Sequence, residues 1–187
     1  MTDMTNLKSL RAKPFELLLE LERMARAALT GQGRDAPGER EWVGVAFRLR
    51  AENFLVAREE TREVLGFPSV VTRVPGAKSW IRGIANVRGQ LLPVVDLRAF
   101  LGGGASTTTR STRVLVAQHR EVPAGLLVDE VLGFRRFAEG EFSSTTPPTI
   151  ARCERYLAGA FRRGTECWPV FSLRTLLESA EFLQAAS

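Results

Sequence analysis

The 187-residue sequence predicts a mainly β fold built from two related small β-barrels. Short apolar, β-branched runs recur along the chain between turn signals, and no intervening helix is long enough to cross over between parallel strands. The third observation is an internal repeat. Glu63-Val64-Leu65-Gly66-Phe67 returns letter for letter as Glu130-Val131-Leu132-Gly133-Phe134. Pro93-Val94-Val95-Asp96-Leu97-Arg98-Ala99-Phe100-Leu101 matches Pro169-Val170-Phe171-Ser172-Leu173-Arg174-Thr175-Leu176-Leu177 at Pro, Val, Leu, Arg and the final Leu, and an Arg-Gly pair precedes both. The displacements, from 63 to 130 and from 93 to 169, are similar but unequal, as expected of a duplicated unit in which a loop then grew.

Residues 1–41 read as an N-terminal extension. Pro14 suits a first helical turn, and Leu17, Leu21, Met24 and Ala28 share one face, which predicts an amphipathic helix over 13–30. Gly31 to Glu41 is a linker by composition. From Val43 the period changes to two: Val43, Val45, Phe47 and Leu49 alternate with Gly44, Ala46, Arg48 and Arg50, predicting a strand with one buried and one wet face. Ala51-Glu52-Asn53 turns it into Phe54 to Ala57, a short helix or turn is expected over Glu59 to Leu65, and a strand over Val70 to Val74. Ile84 to Val87 and Leu91 to Val95 form a hairpin across Arg88-Gly89-Gln90, and Asp96 is placed to cap a brief helix.

Gly102 to Thr112 reads as a flexible connection. Strands follow at Val114 to Ala117, Gly125 to Val131 and Gly133 to Phe137, with a turn at His119-Arg120-Glu121. Ser143 to Thr149 is a loop, Tyr156 to Phe161 and Cys167 to Phe171 pair across Arg163-Gly164, and Ser172 caps a C-terminal helix running towards Leu183. The body thus occupies 42–180, two barrels intertwined around the 102–112 loop, with 181–187 as a tail.

The formal charge is +5 and all basic residues but Lys8, Lys13 and Lys78 are arginine, yet the arginines are scattered and no basic run with interleaved aromatics tracks nucleic acid. The apolar stretch after Pro14 is cut by Glu16, Glu20 and Glu22, unlike a signal peptide or a membrane span, so a cytoplasmic protein is expected. Cys153 and Cys167 lack CxxC spacing or a histidine cluster and read as two reduced thiols. The sole histidine, His119, reads as a surface turn residue, and Gly102-Gly103-Gly104 as a linker without a phosphate-binding pattern. Asp129 and Glu130 would point to opposite faces of a strand, which spoils them as an acid and base couple. No catalytic, cofactor or metal site is expected. Exposed hairpins on a β body favour a binding module.

Glu63-Val64-Leu65, Trp80-Ile81-Arg82-Gly83-Ile84-Ala85-Asn86-Val87-Arg88-Gly89, Pro93 to Arg98, Gly125 to Val131 and Tyr156-Leu157-Ala158-Gly159 resemble, in order and spacing, the CheW family of chemotaxis coupling proteins. The extended N-terminus resembles the PilI branch, found in the chemosensory systems of type IV pilus twitching motility. The resemblance implies two pseudo-symmetric five-stranded SH3-like barrels and a non-enzymatic adaptor. Its partners would be the cytoplasmic tip of a methyl-accepting receptor and the regulatory domain of a CheA-type histidine kinase, at membrane receptor arrays without membrane insertion. By motif position Arg88 is the leading contact residue, with Glu63 as its ion-pair partner. Receptor contacts are expected in the groove between subdomains near Val64, Gly83, Asn86, Val87 and Arg88. Lys78 departs from the proline common in the family, so the Val74 to Ser79 loop and its specificity surface are expected to differ. The competing readings are a nucleic-acid-binding small β-barrel and a pilus-machinery scaffold that binds no kinase.

Overall fold

The computed structural model describes residues 41–149, 151 and 153–184; the helix expected over 13–30 and its linker lie outside the described residues. Among the described residues eleven strands run in order: β1 (Glu41–Leu49), β2 (Glu52–Ala57), β3 (Thr61–Gly66), β4 (Ile81–Val87), β5 (Gln90–Asp96), β6 (Arg113–Ala117), β7 (Gly125–Val128), β8 (Glu130–Ala138), β9 (Phe142–Ser143), β10 (Leu157–Arg163) and β11 (Glu166–Phe171). Three short helices follow the hairpins: α1 (Leu97–Phe100), α2 (Leu173–Leu177) and α3 (Ala180–Leu183). The strands form two sheets, ordered β3-β6-β7-β5-β4 and β8-β1-β2-β11-β10-β9.

Those two orders are the same order written twice. β6-β7 corresponds to β1-β2, the parallel neighbour β5 to β11, β4 to β10, and the isolated Thr72 to Ile84 bridge to the two-residue β9, so the second sheet is five long strands plus a stub. Each sheet takes a strand pair from one copy of the repeat and the remaining strands from the other, so neither copy can complete a sheet alone. The equivalence reaches single atoms. Asp96 N–H donates to the Trp80 carbonyl at 2.8 Å, and Ser172 N–H to the Tyr156 carbonyl at 2.8 Å. A Cβ on Gly83 would meet the Thr72 oxygen at 2.2 Å, and one on Gly159 would meet the Ser143 oxygen at 2.4 Å; both glycines have strongly positive φ.

Both sheets curl until their edges meet. In the first, Glu63 of β3 and Arg62 beside it reach Arg88 and Gln90 at the β4-β5 turn, although β3 and β4 are opposite edges. In the second, Phe137 of β8 stacks on Phe161 of β10 at 4.7 Å, and Arg163 binds both oxygens of Glu141 at 2.7 Å and the Arg136 carbonyl at 3.0 Å. Each curled sheet encloses its own apolar cluster, Ala85, Leu92, Val94, Val114, Val116 and Leu127 in one, Ala46, Leu55, Phe137, Phe161 and Val170 in the other. The largest core lies between the sheets, where Phe47, Phe54, Leu115, Leu126, Tyr156, Phe171 and the α2 leucines meet.

Several expectations change. Of the helix or turn expected over Glu59 to Leu65 only a 3-10 turn at Arg58–Glu60 is present; it hands over to β3, where alternate side chains face the interior and β6 pairs with every residue but Arg62, at a bulge. Val70 to Val74 makes only the Thr72 bridge, because Pro68 and Pro75 bracket it and only that one residue pairs. The second face of β1 is wet only at its end, where Arg48 and then Arg50 are exposed. Gly44 and Ala46 are buried, and the Trp42 ring folds over Gly44 so closely that a Cβ there would lie 2.3 Å from the indole. Between β7 and β8 the break falls at Asp129 and not at Leu132, since Asp129 is where the chain passes between sheets: its N–H donates to the Arg48 carbonyl and its carboxylate accepts from Arg50 N–H at 2.6 Å. The C-terminal helix is two, because Ser179 accepts from Phe182 N–H and starts a new turn.

His119 lies in the expected turn and is partly buried there. Its Nδ1 accepts from the Glu121 and Val122 N–H groups, closing the turn, and its Nε2 lies 3.6 Å from Glu178. Cys153 is buried and its thiol is pushed up to about 11, chiefly by desolvation, whereas Cys167 is exposed; neither is in a disulfide.

Candidate functional site

The β4-β5 hairpin has a two-residue loop, Arg88-Gly89, between the paired Val87 and Gln90. Both loop residues are left-handed, Arg88 at φ 51° and Gly89 at φ 83°, the pattern of a type I′ turn whose twist matches the flanking strands. Asn86 secures it, its Oδ1 accepting from Gly89 N–H at 2.8 Å. An L-residue other than Asn, Asp or Gly in this region costs about 1–2 kcal/mol. The equivalent loop of the other copy has glycine there, Gly164 at φ 60°. The first copy therefore carries an arginine where the scaffold favours glycine, and backbone strain of this kind collects at functional positions.

Arg88 is placed where the first sheet curls shut. Its Nη1 lies 3.0 Å from Glu63 Oε2, with the guanidinium side chain 78% exposed and the glutamate only 20% exposed. Glu63 shares its strand face with Leu65, which packs on the barrel interior; at the barrel mouth that inward position is a carboxylate, and Arg88 covers it. The mouth is a cavity of about 220 Å³ edged by Arg62, Gln90, Gln118 and His119. The pair leaves most of the guanidinium edge free to meet a second acceptor.

Along the same seam lies a larger, mainly apolar cleft of about 740 Å³, lined by Leu65, Pro68, Val70, Ile84, Val87 and Leu91. Val70 is 72% exposed and Leu91 69% exposed, so two aliphatic side chains stand in water on its rim. Sequence reading missed both: Leu91 begins an unbroken apolar run in which the outward position is indistinguishable from the inward ones, and Val70 reads as part of a strand. It also missed Arg62 and Gln90, joined at 3.3 Å across the seam.

The expected residues fall on one sheet and not between two. Val64, on β3, is 38% exposed; Asn86 is exposed and Val87 half-buried beside Arg88. Gly83 stands apart. It is buried against the Thr72 segment, where its missing side chain lets the Thr72 backbone approach β4 and form its bridge to Ile84. Among the described residues no group of three or more His, Cys, Asp or Glu could hold a metal ion.

A family model described as CheW-like domain matches residues 43–181. Protein PilI of Pseudomonas aeruginosa is 39% identical over 173 residues, 92% of this chain and 96% of that protein. Chemotaxis protein CheW of Bacillus subtilis is 37% identical over 100 residues, 54% of this chain and 64% of that one. The crystal structure of the scaffolding protein TtCheW from Thermoanaerobacter tengcongensis aligns with a TM-score of 0.66 at 25% identity, over 76% of this chain and 96% of that chain. With a matching model across most of its length, a similar PilI over nearly all of it and the same paired sheets, the chain belongs to the CheW-like domain family.

Proposed function

We propose that the protein is a non-enzymatic adaptor that couples the cytoplasmic tip of a methyl-accepting chemoreceptor to the regulatory domain of a CheA-type histidine kinase, in a chemosensory system controlling type IV pilus twitching motility. The observation that carries this reading is Arg88: a charged residue held in a left-handed turn at some conformational cost, largely exposed, beside an apolar cleft. A helical partner laid along the seam would bury Val70, Val87 and Leu91 and offer a carboxylate or carbonyl to Arg88. Val64, Asn86 and Glu63 flank that contact, and Gly83 serves it through the fold. Similarity to PilI over 92% of the chain supports the pilus assignment, and the family's scaffolding and chemotaxis members support the coupling role.

The same reading places the protein in the cytoplasm, recruited to receptor arrays by its partners. No helix among the described residues is long and apolar enough to cross a membrane. The test is assembly of a ternary complex from purified protein, receptor tip and kinase regulatory domain. Wild type assembles it and Arg88→Ala, still folded, does not. Normal assembly by the variant overturns the role of Arg88; receptor binding without kinase binding replaces the adaptor with a pilus scaffold. Steeply salt-dependent retention on DNA, with neither protein bound, replaces it with a nucleic-acid-binding barrel.

A further inference from the structure

The segment from Phe67 to Trp80, between β3 and β4, is a long connection of the first sheet without a helix of its own, and it makes one ladder contact, the Thr72 bridge. Next to the seam cleft, with which it shares Pro68 and Ser69, it walls a groove of about 620 Å³ that is more polar than that cleft. Three cations line it, Arg73, Lys78 and Arg82, and no carboxylate does. Arg73 and Lys78 are exposed. Arg82 has one distant counter-charge, Asp96 at 3.8 Å, and that carboxylate is already engaged by Ala99 N–H, Ser106 N–H and the Ser106 hydroxyl. Three like charges along one concavity raise the local potential for an anion.

Beside the groove, and sharing Val74, Ala77 and Ile81 with it, is an apolar shelf of about 300 Å³ completed by Pro75, Ile84 and Pro93. Its lining is aliphatic. A single nucleic-acid strand is held by cations interleaved with several aromatic platforms that stack its bases; Phe67 is the one aromatic in the groove's lining and the shelf has none, so an aliphatic shelf next to two arginines and a lysine better matches a peptide with carboxylates on one side and apolar side chains on the other.

We infer that the 67–82 region is a second docking surface, for an acidic, apolar-faced segment of a partner protein, with Arg73, Lys78 and Arg82 pairing with its carboxylates and Val74, Ala77 and Ile81 seating its apolar side chains.

The probe is an amidated helical peptide of about 18 residues with leucines along one face flanked by glutamates. It is titrated into the isotope-labelled full chain and followed by amide chemical shifts. The glutamate peptide is expected to move the amides of Arg73, Ala77, Lys78 and Ile81 in a salt-sensitive way, the same peptide with lysine for glutamate is expected to move none of them, and the Arg73→Glu/Lys78→Glu double variant is expected to bind at least about tenfold more weakly. Both substitutions are on exposed side chains, and the variant's unchanged spectrum outside the loop checks that it folds. Shifts elsewhere, no shifts, equal binding by the variant or equal binding of the lysine peptide overturn the inference. Tighter binding of a short DNA duplex at the same amides overturns it in favour of a polyanion site. The reading of Arg88 is tested separately, by ternary assembly, and does not depend on this result.

Discussion

Replacing Arg88 separates what the hairpin tip does for the fold from what it does for binding. In Arg88→Gly the left-handed penalty of about 1–2 kcal/mol is removed. Against this stand the larger unfolded-state entropy of glycine, about 0.5–1 kcal/mol, and loss of an ion pair whose arginine is 78% exposed, about 0–1 kcal/mol. These terms nearly cancel, so stability should stay within about 1 kcal/mol of wild type. Arg88→Ala keeps the left-handed strain and loses the pair, so it should be the less stable of the two variants by about 1 kcal/mol. Binding should not follow this order: both variants remove the guanidinium, and both should fail to assemble the ternary complex. Urea denaturation of the three proteins beside a quantitative pull-down measures both quantities. Full binding by Arg88→Gly would refute the reasoning, and so would a glycine variant clearly less stable than the alanine one, since either result means the strain does not serve the arginine.

Gly83→Ala should destabilise by about 2–3 kcal/mol, because a Cβ there meets the Thr72 oxygen at 2.2 Å in a backbone region closed to alanine; thermal melts should show a similar loss for Gly159→Ala, its counterpart in the second sheet. Asp96→Ala leaves Ser106 N–H and the α1 N-terminus without an acceptor inside the fold, and should cost about 2–4 kcal/mol in chemical denaturation, against about 1 kcal/mol for Ser172→Ala, whose helix keeps Glu60 as a second acceptor. Arg163 and the Ala138 N–H hold Glu141 down to about 2. With the folded value below the unfolded one, this contribution is complete above about pH 4.5 and fades as pH falls through 2. Melts of wild type and Glu141→Gln from pH 7 to 2 should therefore converge at the acid end, and a constant gap would refute it.

Much of the fold was legible because its signals are local. The two capped hairpins were read from Pro93 to Leu101 and Pro169 to Leu177, where turn glycines, β-branched runs and Asp96 or Ser172 lie within one repeat, and the structure shows both caps engaged. β3 was misread because its run, Thr61-Arg62-Glu63-Val64-Leu65, mixes good helix formers with alternation; only pairing with β6, more than forty residues away, selects the strand. The second face of β1 reads as wet because Gly44 and Ala46 alternate into Arg48 and Arg50; the arginines are exposed, but the small residues before them are buried and allow Trp42 to fold inward. For the same reason, long-range position decided which residues of Leu91 to Val95 face water.

By itself the sequence determined a duplicated, mainly β chain, the turn that carries Arg88 and the family motif around it. Only the tertiary structure decided that each sheet mixes strands of both copies, that β3 returns to the mouth of the barrel so that Glu63 lies under Arg88, and that Arg73, Lys78 and Arg82 share one groove. The division follows from range. Turns, caps and strand periodicity depend on neighbours a few residues apart, whereas the curl of a sheet and the convergence of charges depend on residues that meet only after the chain has closed on itself.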